Sequence, residues 1–185
     1  MMKNHKSDFS ILAVDLDHTL IDTDMIHLGL RYLLKNKIYL VLILLLLLIF
    51  KGKPAAKKYL FENSKIDITK LPYNNDVLDY IKDTKDKYQK IILISGSYYK
   101  YVKSVSKFLN LFDDAIGTQN HKNMISLAKV EYIQQRYPKS VFDYIGDSKK
   151  DIPIWRLSRK ALVVKRGNIL KYIQDLDYQV ISHIN

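Results

Sequence analysis

A chain of 185 residues is long enough for one domain with a sizeable core and too short for two substantial ones. Its 48% hydrophobic and 26% charged residues, with only 6 Gly and 4 Pro, exclude disordered, collagen-like and low-complexity classes, and the absence of cysteine excludes disulfide frameworks, thiolate metal sites and cysteine nucleophiles. A net charge of +11 leaves nucleic acid, anionic lipid and phosphorylated compounds as candidate partners, beside the alternative of a generic basic surface.

In chain order, residues 1–8 are polar and basic with no apolar core, so no cleaved secretory signal is expected. Residues 9–14 form a short apolar run ending at Asp15, the pattern of a buried parallel strand. Residues 38–50 are thirteen consecutive apolar residues, mostly Leu and Ile. A helical pattern over 75–88 leads to a strand over 90–94 that ends in Ser95-Gly96-Ser97. Helical patterns over 98–109 and 125–137 precede a strand over 141–145 ending in Gly146-Asp147-Ser148, then a helix over 151–159 and a strand over 161–164. Strands alternating with helices predict an α/β fold, a doubly wound parallel sheet with helices on both faces. Ligands of such sheets bind outside the carboxyl ends of the strands, where this sequence puts Asp15, Ser95 and Asp147.

Asp15-Leu16-Asp17-His18-Thr19-Leu20 places two carboxylates two residues apart where a strand leaves the sheet. Alone, this also fits a turn with Asp as a cap. Gly146-Asp147-Ser148-Lys149-Lys150-Asp151 ends another strand and adds two carboxylates four residues apart. Such groups gathered at one sheet edge repel, and a hard divalent cation such as Mg2+, which takes oxygen ligands, would hold them together. Lys129, on the helix before that strand, adds positive charge; Lys122, seven residues upstream, is the alternative. Ser95 and the backbone of Gly96 and Ser97 offer uncharged donors to a substrate's oxygens.

These four pieces, in this order, resemble the motifs of the haloacid dehalogenase (HAD) superfamily of aspartate-dependent phosphohydrolases, over roughly 15–164. Asp15-Leu16-Asp17-His18-Thr19 is similar to the first motif, Ile92-Leu93-Ile94-Ser95 to the second, Lys129 to the third, and Gly146-Asp147 through Asp151 to the fourth. A closer likeness is to the HAD domains found alone or fused to UbiA-type membrane prenyltransferases. It rests on Leu71-Pro72-Tyr73-Asn74, on Phe142-Asp143-Tyr144-Ile145-Gly146-Asp147-Ser148 and on Asp151-Ile152-Pro153-Ile154-Trp155.

The resemblance implies a HAD-like Rossmannoid core over 1–23 and 71–185, with a small helical C1-type cap over 24–70 that contains the run 38–50. It implies Asp15 as nucleophile and Asp17 as the acid that protonates the leaving group and then activates water. Asp15, the Asp17 backbone carbonyl and Asp147 would hold Mg2+, with Asp151 helping directly or through water. Thr19, Ser95 and Gly96 would contact the phosphoryl oxygens, and Lys129 would offset charge and orient the nucleophile. Asp17 also favours a phosphatase, because dehalogenating members lack an acid there. His18 stands where many members carry Gly.

Thirteen residues of helix span about 20 Å, short of the roughly 30 Å of a bilayer's hydrocarbon. A crossing there would also put Asp15 on the opposite side from Ser95, Lys129 and Asp147. Lys35, Lys37, Lys51, Lys53, Lys57 and Lys58 flank the run on both sides, which suits both ends staying on the cytoplasmic side. Two arrangements follow. The cap packs its Leu-rich face on the catalytic domain or on a second subunit as a homodimer, or it dips into an anionic bilayer surface as a peripheral membrane element.

The expected function is a Mg2+-dependent phosphomonoesterase at or near a membrane. Its substrate would be a lipid-linked phosphate, a metabolite phosphate or a phosphotyrosine protein. The alternatives are a membrane-binding or interaction module with little activity, and a phosphotransferase with a non-water acceptor. Nucleic acid is not expected, since no aromatic-and-basic recognition motif accompanies the charge.

Overall fold

The computed structural model describes residues 9–119 and 122–181, so the reading of 1–8 falls outside the described residues. Strand β1, Ser10–Val14, is buried at every position, as the apolar run 11–14 requires of a strand covered on both faces, and the buried Ser10 hydroxyl donates to the Lys87 carbonyl at 3.1 Å. Among the described residues five more strands join it: β2 Lys90–Tyr98, β3 Asp114–Thr118, β4 Val141–Gly146, β5 Lys160–Val164 and β6 Tyr178–Ile181. They form one sheet in the order β3-β2-β1-β4-β5-β6, with every pair parallel. Val14 pairs with both Leu93 and Ile145, so β1, β2 and β4 deliver the residues that follow to the same edge. That edge is also where the strand order reverses, between β1 and β4.

Alternate side chains of β1 and β2 feed two cores, one on each face of the sheet. Leu12, Val14 and Leu93 pack with Val77 and Ile81 of α4 (Asn75–Thr84) and Val102 and Val105 of α5 (Tyr99–Leu109). On the other face Ile11, Ala13, Ile92 and Ile94 pack with Val130 and Ile133 of α6 (Leu127–Arg136) and Ile154 and Trp155 of α7 (Ile152–Trp155).

Several boundaries differ from the sequence pattern. Strand β2 runs on through Ser95-Gly96-Ser97 to Tyr98, with an irregular register against β3 between Ile94 and Tyr98. The helix expected over 75–88 stops at Thr84, whose hydroxyl donates back to the Tyr80 carbonyl at 2.6 Å, and a 3-10 turn over Lys85–Lys87 follows. The helix expected over 151–159 is a 3-10 turn and the single turn of α7, closed by Ser158, whose N–H and hydroxyl take the Ile154 and Trp155 carbonyls.

Between β1 and α4 lie three helices, α1 Met25–Asn36, α2 Tyr39–Phe50 and α3 Gly52–Asn63. Asp24 caps α1, accepting from the Ile26 and His27 amides at 2.6 and 3.4 Å. Helix α1 buries Met25, Gly29 and Leu33, and α3 buries Ala56, Leu60 and Phe61. A Cβ on Gly29 would stand 3.0 Å from Leu60 Cγ, so the glycine lets the two helices close up. Helix α2 buries no residue. Its apolar side chains therefore do not pack into the catalytic core as the first cap arrangement allowed; α2 lies along α3 and, less extensively, α1.

Candidate active site

Parallel pairing of β1 with β4 continues one bond past the strand, from the Asp15 amide to the Ile145 carbonyl at 3.0 Å. This fixes the Asp15 backbone at the mouth of a cavity of about 150 Å³, which its side chain lines. Asp15 Oδ1 accepts from the Leu16 amide at 2.8 Å and meets Lys129 Nζ at 2.8 Å. Buried on α6, Lys129 also donates to the Tyr144 hydroxyl at 2.6 Å, and that hydroxyl donates to Asp151 Oδ1 at 2.8 Å. Burial raises the Asp15 pKa, an effect that Lys129 only partly offsets. Burial also works against the Lys129 charge, but the Asp15 and Asp151 carboxylates outweigh it and raise its pKa. Lys122 is exposed and 3.8 Å from Glu131, so of the two lysines Lys129 is the one in the site.

Asp17 lines the same cavity with different partners. Its Oδ1 accepts from the Met25 amide at 2.8 Å, and its Oδ2 accepts from the hydroxyls of Ser95 at 3.0 Å and Ser97 at 2.7 Å. Burial raises its pKa against the pull of these donors. Ser95 and Thr19, expected on phosphoryl oxygens, do not line the cavity. The Ser95 hydroxyl is directed to Asp17 and accepts from the Ser97 amide at 2.9 Å, while Thr19, fully buried, donates to Asp147 Oδ1 at 3.3 Å. Both hydroxyls thus hold carboxylates in place. Gly96 and Ser97 reach the cavity instead.

At the end of β4, Gly146 makes room for Asp151. A Cβ at position 146 would stand 2.7 Å from Tyr144 Cε1 and 2.8 Å from Asp151 Cγ. Asp151 Oδ2 accepts from the Asp147 amide at 3.2 Å, the Ser148 amide at 3.0 Å and the Ser148 hydroxyl at 2.9 Å. Burial and the neighbouring Asp151 push the Asp147 pKa up to about 6. Arg166 Nε lies 3.9 Å from Asp147 Oδ2 and donates to the His18 carbonyl at 3.0 Å. His18 takes φ 61°, the left-handed region that favours glycine, so its backbone has the conformation that the glycine implied by the resemblance would supply.

Oxygens of Asp15, Asp147 and Asp151 lie within 4.8 Å of one another, and all three residues are buried. Three hard oxygen donors crowded in this way suit Mg2+, whose charge would offset their repulsion. The Asp17 carboxylate is not in this group, because Ser95, Ser97 and the Met25 amide draw it aside; its expected share in the metal site is through the backbone carbonyl alone.

Arg166 carried no recognisable sequence signal, and the Ser97 hydroxyl and Lys57 have roles in the site that the sequence does not assign. Grouped by sequence with the lysines flanking the apolar run, Lys57 turns inward from α3. Its Nζ donates to the Gly96 carbonyl at 2.6 Å and to Asn123 Oδ1 at 2.7 Å, and burial lowers its pKa to about 8.

No protein-family model matches the sequence. The chain is 30% identical over 164 residues to the uncharacterized protein y4nM of Sinorhizobium fredii (strain NBRC 101917 / NGR234). That match covers 84% of this chain and 30% of y4nM, so the chain spans under a third of the relative's length. Among solved structures, a Bordetella pertussis Tohama I protein of unknown function superposes with a TM-score of 0.74 at 12% identity, covering 95% of this chain and 99% of that one. The HAD family hydrolase t0658 of Salmonella enterica serovar Typhi gives 0.65 at 13% identity, over 93% of this chain and 68% of that one. A phosphoserine phosphatase in its apo form gives 0.64 at 14% identity, over 93% of both chains. The chain has the fold of the haloacid dehalogenase superfamily.

Proposed function

We propose that the protein is a Mg2+-dependent phosphomonoester hydrolase with Asp15 as its nucleophile. The observation that carries this reading is the division of its four carboxylates. Asp15, Asp147 and Asp151 converge as a cation site, while Asp17 is held apart on serine hydroxyls. When bound, Mg2+ would offset the charge of the three carboxylates and of the incoming phosphoryl group.

The Asp15 carboxylate oxygen attacks phosphorus and the bond from phosphorus to the ester oxygen breaks. Asp17, whose burial favours the protonated acid, gives its proton to that oxygen. Water then attacks the aspartyl phosphate, Asp17 takes the water's proton, and the bond from phosphorus to Asp15 breaks to release phosphate. Lys129 balances charge on Asp15 throughout. Gly96, at the cavity wall, remains the candidate backbone contact for the phosphoryl oxygens.

A cavity of about 150 Å³ admits a phosphoryl group with a small part of its alcohol. A metabolite phosphate, the headgroup of a lipid-linked phosphate and a phosphotyrosine side chain all present such a group. Hydrolysis of an aryl phosphate tests the reaction: turnover should require Mg2+, cease with a chelator, and fall by several orders of magnitude in Asp15→Asn. Turnover unaffected by that substitution would remove Asp15 from the chemistry.

A further inference from the structure

Helix α2 is twelve residues long, about 18 Å, and apolar at every position. Leu40, Val41, Leu44 and Leu47 are half-buried; every other residue from 38 to 50 is exposed, and Ile38, Tyr39, Leu42, Ile49 and Phe50 are 65–75% exposed. At about 100° per residue, the exposed positions sweep roughly 200° of the helix circumference. A second copy of this chain, or any single protein helix, would cover one further stripe and leave the rest in water. A hydrocarbon phase covers the whole arc.

Charge selects which apolar phase fits. No Asp or Glu occurs between Asp24 and Glu62. Exposed Arg31 and Lys35 precede α2, and exposed Lys51, Lys53 and Lys58 follow it; none of the five pairs with a carboxylate among the described residues. Gly52, at φ 78°, turns the chain from α2 directly into α3, so both ends of α2 are held by helices that pack on each other. Among the described residues no helix is long and apolar enough to cross a membrane.

We propose that α2 and the basic residues at its two ends form a docking hairpin that sinks into one leaflet of an anionic bilayer without crossing it. This does not rest on the phosphatase reading. Lys57, in the cavity wall, follows Lys51 by six residues, about 9 Å of helix, so docking holds the cavity close to the headgroups.

The full chain should float with phosphatidylcholine vesicles containing phosphatidylglycerol and not with phosphatidylcholine vesicles alone. Substituting Leu42→Glu, Leu46→Glu and Ile49→Glu together, all at exposed positions, should abolish flotation while leaving the melting temperature unchanged. Replacing Lys51 and Lys53 by Ser should weaken partitioning about fivefold per lysine. In Leu45→Trp, added vesicles should shift the new tryptophan's emission to the blue. Absence of flotation, flotation that survives the three glutamates, or an emission from the introduced tryptophan that vesicles leave unshifted would overturn the proposal. So would a dimer in lipid-free sedimentation that the glutamates dissolve, with no vesicle binding, which would assign α2 to a second copy.

Discussion

Without the Lys129 ammonium, Asp15 and Asp151 would share a buried space with no cation from the protein core between them. Lys129→Met keeps most of the side chain's volume and removes the charge together with its contacts to Asp15 and the Tyr144 hydroxyl. Urea unfolding of the metal-free variant should show a loss of up to about 3–5 kcal/mol that grows with pH, because Asp15, no longer held down by Lys129, takes up a proton at lower pH, and part of the loss should be recovered with Mg2+. A loss below about 1 kcal/mol, typical of a surface pair, would mean that Lys129 does not balance these carboxylates. The residues of this cluster were legible in the sequence because each carboxylate pair stands at the end of an apolar strand. Arg166 was not, nor were the roles of the Ser97 hydroxyl and of Lys57, since a hydroxyl or a lone base far along the chain has no spacing to mark it. Ser95 and Thr19 were found, but a sequence does not show which way a hydroxyl points; here each holds a carboxylate.

At the scale of the elements, the end of β4 depends on a missing Cβ. Gly146→Ala would drive a methyl group into Tyr144 and Asp151, forcing Asp151 away from the Asp147 and Ser148 amides. Thermal unfolding should show a destabilisation of about 1–3 kcal/mol and a smaller stabilisation by Mg2+ than in the wild type; an unchanged Mg2+ response would show that the fold of this turn does not set the cation site. Strands β1, β2, β4 and β5 were legible because burial on both faces demands largely apolar runs, interrupted in β4 only by Asp143, which Arg159 and Tyr88 partner. Strands β3 and β6 were missed because they form the sheet's edges: Asp114–Thr118 has few apolar residues, and Tyr178–Ile181 is only partly buried. Ser95-Gly96-Ser97 has the composition of a turn yet continues β2, because Gly117 on β3 lets the two strands approach; a Cβ there would be 2.7 Å from the Ser97 carbonyl oxygen.

For the whole molecule, the gathered carboxylates set the response of stability to pH. Asp15, Asp17 and Asp147 all have pKa values raised above 3.8, Asp147 to about 6. In the metal-free protein the folded state therefore keeps protons that the unfolded chain has already lost, and stability falls as pH rises from about 4 toward 7. Lys57 acts in a separate window: with a pKa of about 8 against 10.5 unfolded, it lets stability rise with pH above about 8. Mg2+ held by these carboxylates would compete with those protons, so thermal melts should show a larger Mg2+-induced rise in Tm at about pH 8 than at about pH 5. An equal rise at both would mean that the cation does not bind these carboxylates. The doubly wound parallel architecture and the position of the helical insertion follow from patterns along the whole chain; the order of the six strands does not. The direction of α2 does not, because a helix apolar on every side carries no information about which side faces inward.

The proposed aspartyl-phosphate intermediate at Asp15 is tested most directly by trapping it. In Asp17→Asn, an aryl phosphate with a good leaving group can still transfer its phosphoryl group, while the water that should release it is no longer activated. Acid-quenched protein should then carry a phosphoryl group on the peptide containing Asp15, formed only with Mg2+ and absent when Asp15→Asn is added. An unlabelled protein, or a label on any other residue, would contradict the assignment of Asp15 as nucleophile.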